Sequence, residues 1–297
     1  MNRPIVFECA RVKILKTRWK LPIVSGVTWF FCMVVCSSPA TAHQDLTDQI
    51  QAVTEQITLN PNDVELYLKR GELSRRHRDW NAALHDYEIA ARLAPGFSGV
   101  DLALGRMWFD AGRPKSAERA LDAFLVKNPE HANALALHGR VLGQLGQGCA
   151  AARDFSHAIE LLATPVPDFY LDRARALASC GKEHLDQAIK GLESGMKKMG
   201  FLVPLQTLAI DLELSRQHYD AALIRLEQIE RRSIRKEKWL LRKGEILIQA
   251  GRSDESLEAF RLALAAIQAL PERHRTTKGT MDLETRLHAL LNKTDKE

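Results

Sequence analysis

Ten histidines and five cysteines are the residues of this sequence with the chemistry for metal binding or covalent catalysis. The histidines are scattered; His131 and His138 lie seven positions apart, and surface or packing roles explain them better than metal ligation. His43 could chelate copper as a new amino terminus, but no second histidine is identifiable nearby. The sequence has no nucleotide-binding loop, zinc-protease motif or nucleophile elbow. We therefore predict no catalytic activity, no cofactor and no bound metal.

Residues 1–42 have the pattern of a secretory leader. A basic stretch ends at Lys20 and is followed by an apolar run over residues 21–35. Ala40 and Ala42 then supply the small side chains that a leader peptidase requires at two alternate positions. The sequence predicts cleavage after Ala42 and a periplasmic or secreted protein.

Two other outcomes of the same segment stay open. The apolar run 21–35 is shorter than the ~20 residues that usually span a bilayer, yet an uncleaved leader could anchor the protein in the membrane through it. Lipoprotein processing at Cys36 is disfavoured, because Val35 stands where a lipobox has a small residue.

The net charge of +5 and the pI near 9.0 come from the leader. Residues 1–42 contain six of the 42 basic residues and one of the 37 acidic residues, so 36 of each remain beyond them. Since affinity for nucleic acid depends on rows of Lys and Arg that neutralise phosphates, the balanced remainder argues against a nucleic-acid partner.

A repeat of 34 to 36 residues runs through most of the chain. One column of mostly small residues reads Gly71, Gly105, Gly139, Ala174, Ile210 and Gly244. A second reads Ala83, Ala117, Ala151, Ala188, Ala222 and Ser256, and a large apolar column four residues later reads Tyr87, Leu121, Phe155, Leu192, Leu226 and Phe260. A turn column between the halves holds Arg78, Gly112, Gly146, Gly181, Gln217 and Gly251. Glycines in register inside helices indicate helices that approach each other closely.

These columns closely resemble the tetratricopeptide repeat family over residues 64–270. The resemblance implies an all-α, right-handed superhelical solenoid of about six antiparallel helix pairs with a capping helix at each end. The predicted organisation is a leader at 1–42, a capping helix at 43–61, six repeats over 62–270, and a polar linker, capping helix and tail at 271–297. The repeats are expected at about 64–97, 98–131, 132–166, 167–202, 203–236 and 237–270. The fourth is irregular, with two extra residues near His184.

In the resembled family, the first helix of each pair lines an inward groove. One groove position corresponds here to Glu72, Arg106, Arg140, Arg175, Asp211 and Glu245, and the position four residues earlier to Leu68, Leu102, Ala136, Leu171, Thr207 and Leu241. Three successive arginines thus predict an anion-binding ladder, with Leu102, Leu171 and Phe109 as apolar contacts. An ordinary solvated ladder, with Arg175 paired to Asp172 and Arg106 paired to Asp110, explains these residues equally well. The lysine and asparagine set of the family's carboxylate clamp is absent.

Cys149 and Cys180 are the two cysteines that remain once the leader is removed. The repeat places Cys149 at the start of the second helix of the third pair and Cys180 at the end of the first helix of the fourth. A disulfide between these neighbouring positions is plausible in an oxidising compartment, and two separate buried thiols are the alternative.

Together, these features predict a non-catalytic scaffold that binds a protein or peptide, acidic in our preferred interpretation, in the groove of the repeat array in the cell envelope. The main alternative is a membrane-tethered assembly factor that organises envelope biogenesis or export complexes. A metal-binding protein or an enzyme is the least favoured interpretation.

Overall fold

The computed structural model describes residues 39–164 and 166–294, and the regular structure within them is helical. The helices are α1 (Pro39–Leu59), α2 (Val64–Arg76), α3 (Trp80–Leu93), α4 (Ser98–Asp110), α5 (Pro114–Lys127), α6 (Ala132–Gln144), α7 (Gly148–Leu161), α8 (Pro167–Cys180), α9 (Leu185–Met199), α10 (Val203–Ser215), α11 (Tyr219–Arg232), α12 (Glu237–Gln249), α13 (Ser253–Gln268), α14 (Glu272–Arg275) and α15 (Lys278–Thr294). The predicted leader and its apolar run lie outside the described residues, apart from residues 39–42, which begin α1. Among the described helices, none is both long enough and apolar enough to cross a membrane.

Helices α2 to α13 form six hairpins, in which each helix packs against the next one along the chain. Successive hairpins also contact each other, since α3 packs on α4, α5 on α6, and so on to α11 on α12. The first helices of the second, third and fourth pairs, α4, α6 and α8, contact one another in the same order. This arrangement confirms the predicted all-α array of helix pairs.

The turn within five of the six hairpins uses one residue in the left-handed region of backbone space. Gly112, Gly146 and Gly251 have φ values of 69°, 77° and 73°. Arg78 and Gln217 fill the equivalent positions with φ values of 64° and 62°, although a left-handed backbone costs a side-chain-bearing residue roughly 1 kcal/mol. The turn geometry therefore persists in the two pairs whose sequence lacks glycine.

The small columns allow the two helices of a pair to touch. A Cβ atom added to Gly71 would lie 2.4 Å from the Tyr87 ring, and one added to Gly244 would lie 2.2 Å from the Phe260 ring. The second small column is fully buried in every pair: Ala83, Ala117, Ala151, Ala188, Ala222 and Ser256. Each large apolar side chain thus fills the space that its small neighbours leave open.

A helix covers each end of the array, as expected for stacked repeats whose end faces need protection from water. At the front, Val53 and Ile57 of α1 pack into one core cluster with Tyr67 and Tyr87. At the back, Leu287 of α15 is fully buried against the last hairpin. Between α13 and α15, where the sequence predicts a polar linker, the structure has the short helix α14.

The fourth pair departs from the common turn. Gly181 follows α8 with a φ of 150°, and a 3-10 turn at Lys182–His184 precedes α9. The backbone N–H of His184 donates to the carbonyl of Gly181 at 3.1 Å. The two extra residues noted in the sequence therefore form an ordered turn between α8 and α9.

Candidate functional site

A pocket of about 450 Å³ opens on the surface formed by the first helices of the second, third and fourth pairs. We call it the groove pocket, and its lining comprises Phe109, Gly139, Arg140, Gly143, Gln144, Ala151, Phe155, Asp172, Arg175, Ala176 and Ser179. The repeat positions these residues, because α4, α6 and α8 present equivalent faces one unit apart.

The floor of the groove pocket is apolar and tightly packed. Phe155 is 2% exposed, and a Cβ atom on Gly139 would lie 3.0 Å from its ring. Ala151 and Ala176 complete the floor, and the half-buried Phe109 stands at one side. Small residues at these positions keep the pocket open, since larger ones would fill it.

Two arginines share one carboxylate at the rim of the groove pocket. Arg140 Nε donates to Asp172 Oδ2 at 2.8 Å, and Arg175 Nη1 donates to Asp172 Oδ1 at 3.3 Å. Their side chains keep 40% and 61% of their surface exposed to solvent. This group of three charges therefore carries one surplus positive charge, and both guanidinium groups have donors left for a ligand.

Three of the predicted site residues come together here, and three do not. Phe109, Arg140 and Arg175 line the groove pocket. Leu171 is buried in the core at 9% exposure, whereas the half-buried Leu102 packs beside the buried residues of the second and third pairs. These two leucines stabilise the fold and add little to the surface of the groove pocket.

Arg106 is exposed on α4, where its charged neighbours differ from those of Arg140 and Arg175. Asp110, its proposed partner, pairs instead with Arg75 from the preceding repeat. Burial tends to raise the pKa of Glu72, but the hydrogen bond from Arg75 and the charges of Arg75 and Arg106 outweigh burial and lower it. Arg106 therefore belongs to a locally balanced group with Glu72, Arg75 and Asp110, whereas Arg175 pairs with Asp172 as the solvated ladder predicts.

A second pocket of about 340 Å³ lies on the equivalent surface of the fifth and sixth pairs. Arg242 pairs with Asp211 at 2.9 Å, and Arg286 of α15 pairs with Glu245. Arg242 also lies 3.7 Å from Glu245, so these two arginines face two carboxylates, whereas the two arginines of the groove pocket share one. The repeat columns do not predict these ion pairs between neighbouring repeats, although residues of opposite charge recur in the sequence about one repeat apart.

Cys149 and Cys180 are joined by a disulfide in the structure, with their Cα atoms 5.0 Å apart. The bond links the first turn of α7 to the last residue of α8 and so connects the third and fourth pairs. His184 lies beside both sulfur atoms, a proximity that the repeat columns do not predict. The spacing of Cys180 and His184, four positions apart, was the available signal.

Two stretches of the chain, residues 68–132 and 207–271, match the family model described as Tetratricopeptide repeat. A tetratricopeptide repeat protein from Parabacteroides merdae has a similar structure, with 18% identity and a TM-score of 0.53 over 85% of this chain and 93% of that chain. The C-terminal part of a repeat-containing protein from Cytophaga hutchinsonii gives 12% identity and a TM-score of 0.62 over 82% and 95%. PilF from Pseudomonas aeruginosa gives 13% identity and a TM-score of 0.50 over 76% and 96%. No curated protein sequence matches the chain.

The repeats, their packing and these similarities define the class. The chain carries tetratricopeptide repeats over residues 68–132 and 207–271, and the helix pairs between them continue the same packing. Proteins of this class are generally non-catalytic scaffolds that bind proteins or peptides on the extended surfaces formed by their stacked helices.

Proposed function

We propose that the protein is a non-catalytic scaffold whose groove pocket binds an acidic segment of a partner protein. The observation that carries this proposal is the sharing of Asp172 by Arg140 and Arg175 above an apolar floor. A carboxylate from the partner would neutralise the surplus positive charge and accept hydrogen bonds from both guanidinium groups. Apolar side chains beside that carboxylate would contact Phe109 and Ala176.

A selection from random peptides with free carboxyl ends tests this proposal directly. We expect the selected peptides to be enriched in Asp and Glu, and Arg140→Glu to weaken their binding about tenfold, which corresponds to ~1.4 kcal/mol. Arg119→Glu is the matched control, because Arg119 is exposed on α5, outside the groove pocket. Arg175→Gln tests the second guanidinium without introducing a negative charge.

Isothermal calorimetry on the purified variants would measure these affinities, and circular dichroism would show that each variant remains helical. Selected peptides without acidic residues would contradict the proposal. Equal affinity of the wild type and both groove variants for the selected peptides would contradict it as well.

We also propose that the protein acts in the cell envelope, after its leader is removed following Ala42. The disulfide supports this location, because disulfides persist in oxidising compartments and are rare in the cytosol. The intact mass of the protein purified from its native host tests both points. A chain that begins at His43 and is two hydrogens lighter than its dithiol form is expected, and retention of residues 21–35 would favour the membrane-tethered alternative.

A further inference from the structure

A third pocket, of about 500 Å³, lies beside the disulfide. Its lining includes Cys149, Cys180, His157, Glu160 and His184. The groove pocket is lined by neighbouring residues of the same two helices, Ala151 of α7 and Ala176 of α8. The pocket beside the disulfide is thus built by α7, α8 and the irregular turn of the fourth pair.

Three metal-binding side chains meet in this pocket. One ligand atom each of Cys149, Cys180 and His184 lies within 4.8 Å of the other two. Two donor atoms bound to one tetrahedral zinc ion are separated by roughly 3.3 to 3.8 Å, given Zn–S and Zn–N bonds of about 2.3 and 2.1 Å. Once the sulfur atoms are no longer bonded to each other, small rotations of the three side chains would bring them to these distances.

The irregular turn of the fourth pair holds His184 at this place. Gly181 adopts a φ of 150°, and a Cβ atom there would lie 2.5 Å from the Glu183 carboxylate. The 3-10 turn that follows carries His184 back towards the end of α8. Within the described residues, the turns of the other pairs have no such insertion. His184, the third metal-binding side chain, therefore lies where the chain departs from the repeat.

We propose that the reduced protein binds one Zn²⁺ through Cys149 Sγ, Cys180 Sγ and an imidazole nitrogen of His184, with water as the fourth ligand. A dithiol reductant would break the sulfur–sulfur bond. It gives two electrons and two protons to the protein, which convert both cysteines to thiols, while the reductant's own sulfur atoms form a disulfide. Zn²⁺ then displaces the two thiol protons and binds the thiolates.

The disulfide and the zinc site are mutually exclusive, because each uses both sulfur atoms. Either one links α7 to α8, so the third and fourth pairs would be cross-linked in the oxidised protein and in the reduced, zinc-bound protein. The protein would therefore bind zinc only when the disulfide is open. This property is independent of peptide binding in the groove pocket.

Zinc binding is measured on the full chain, reduced with a phosphine under anaerobic conditions, by competition with a chromophoric chelator. We expect one Zn²⁺ per reduced chain, and none with the disulfide intact. His184→Ala should weaken binding at least tenfold, and the double change Cys149→Ser with Cys180→Ser should abolish it. His85→Ala is the control, because His85 is exposed on α3 and distant in sequence from the pocket.

Substitution with Co²⁺ provides a readout that reports the ligands themselves. The reduced wild-type protein should show thiolate-to-cobalt charge-transfer bands and the strong visible bands of a tetrahedral ion, and the double cysteine variant should show neither. Wild-type zinc affinity in His184→Ala, equal binding by the oxidised protein, or less than about one tenth of an ion per reduced chain would each overturn the proposal.

Discussion

The first and third helix pairs join their two helices through the same position with different side chains. In the first pair, Arg70 Nε and Nη2 donate to the two carboxylate oxygens of Asp86 at 2.9 and 2.7 Å. In the third pair, His138 occupies the position of Arg70, and its Nδ1 lies 2.6 Å from Oδ2 of Asp154. Arginine keeps its charge at every physiological pH, whereas histidine does not. The comparison suggests that one pair is held by a permanent ion pair and the other by one that titrates.

The fourth pair shows what happens when one partner is missing. Arg173 stands at the position of Arg70, but Gly191 replaces the aspartate. The Nε atom of Arg173 is buried without a hydrogen-bond partner within the part of the chain that the structure describes. Pairs one, three and four therefore form a natural series: a permanent ion pair, a titratable one and an incomplete one.

The largest loss of stability in this series is expected from Asp86→Ala. The Asp86 side chain is 3% exposed, so its removal leaves the Arg70 guanidinium largely buried and without its bidentate partner. Breaking a buried pair on one side typically costs about 3 to 5 kcal/mol. We expect a loss of about 3 kcal/mol, measured by hydrogen exchange across α1, α2 and α3.

The double variant Arg70→Met with Asp86→Ala is the matched control for this change. It removes both charges, so it should recover more than half of the lost stability. If the double variant were as unstable as the single one, packing of Asp86 and not its charge would be the cause. A loss below about 1 kcal/mol in the single variant would show that Arg70 turns freely into solvent.

The columns of small and large residues were enough to predict the fold. Their spacing showed which residues meet, because Gly71 and Tyr87, or Gly244 and Phe260, can only pack in this way once the helices pair. The turn column also placed Arg78 and Gln217 in turns, although it did not predict their left-handed backbone. Such local and neighbouring contacts follow directly from a repeat.

The charged part of the candidate site was predictable only in part. Arg140 and Arg175 were expected on one face, and they line one pocket. Their common contact with Asp172 depends on side-chain reach between two neighbouring helices, which column positions do not determine. His184 was missed because it lies in an insertion, where the repeat gives no register.

A change in stability of intermediate size is expected from the titration of His138. Burial tends to lower the pKa of His138, but the hydrogen bond to Asp154 outweighs burial and raises it, with added contributions from the charges of Asp122 and Glu118. A raised folded-state pKa means that the protonated side chain stabilises the fold below its unfolded pKa of about 6.5. This contribution is lost as the pH rises through the folded-state pKa.

His138→Arg should remove this pH dependence by making the third pair resemble the first. Between pH 5.5 and pH 8.5, we expect the free energy of unfolding of the wild type to fall by on the order of 1 kcal/mol more than that of the variant. The reason is that deprotonation of His138 replaces a hydrogen bond between charged groups with a weaker one from a neutral imidazole. Urea unfolding at both pH values measures the difference. His85→Arg, at an exposed position, should leave the wild-type pH dependence unchanged, and parallel pH profiles of wild type and His138→Arg would refute the assignment.

The smallest effect is expected from completing the fourth pair with Gly191→Asp. A Cβ atom at this position would lie 3.2 Å from Arg173 Nη1, a flexible group that can move slightly, so a carboxylate fits beside the guanidinium. Replacing glycine inside a helix is itself stabilising by up to about 1 kcal/mol, so the charge must be separated from that gain. Gly191→Asn has a similar helix propensity and no charge. Because the pair would be partly solvated, we expect the free energy of unfolding of Gly191→Asp to exceed that of Gly191→Asn by about 0.5 kcal/mol, measured with urea at low salt. The difference should shrink at high salt, and equal stabilities at low salt would mean that Arg173 is not available to a carboxylate at position 191.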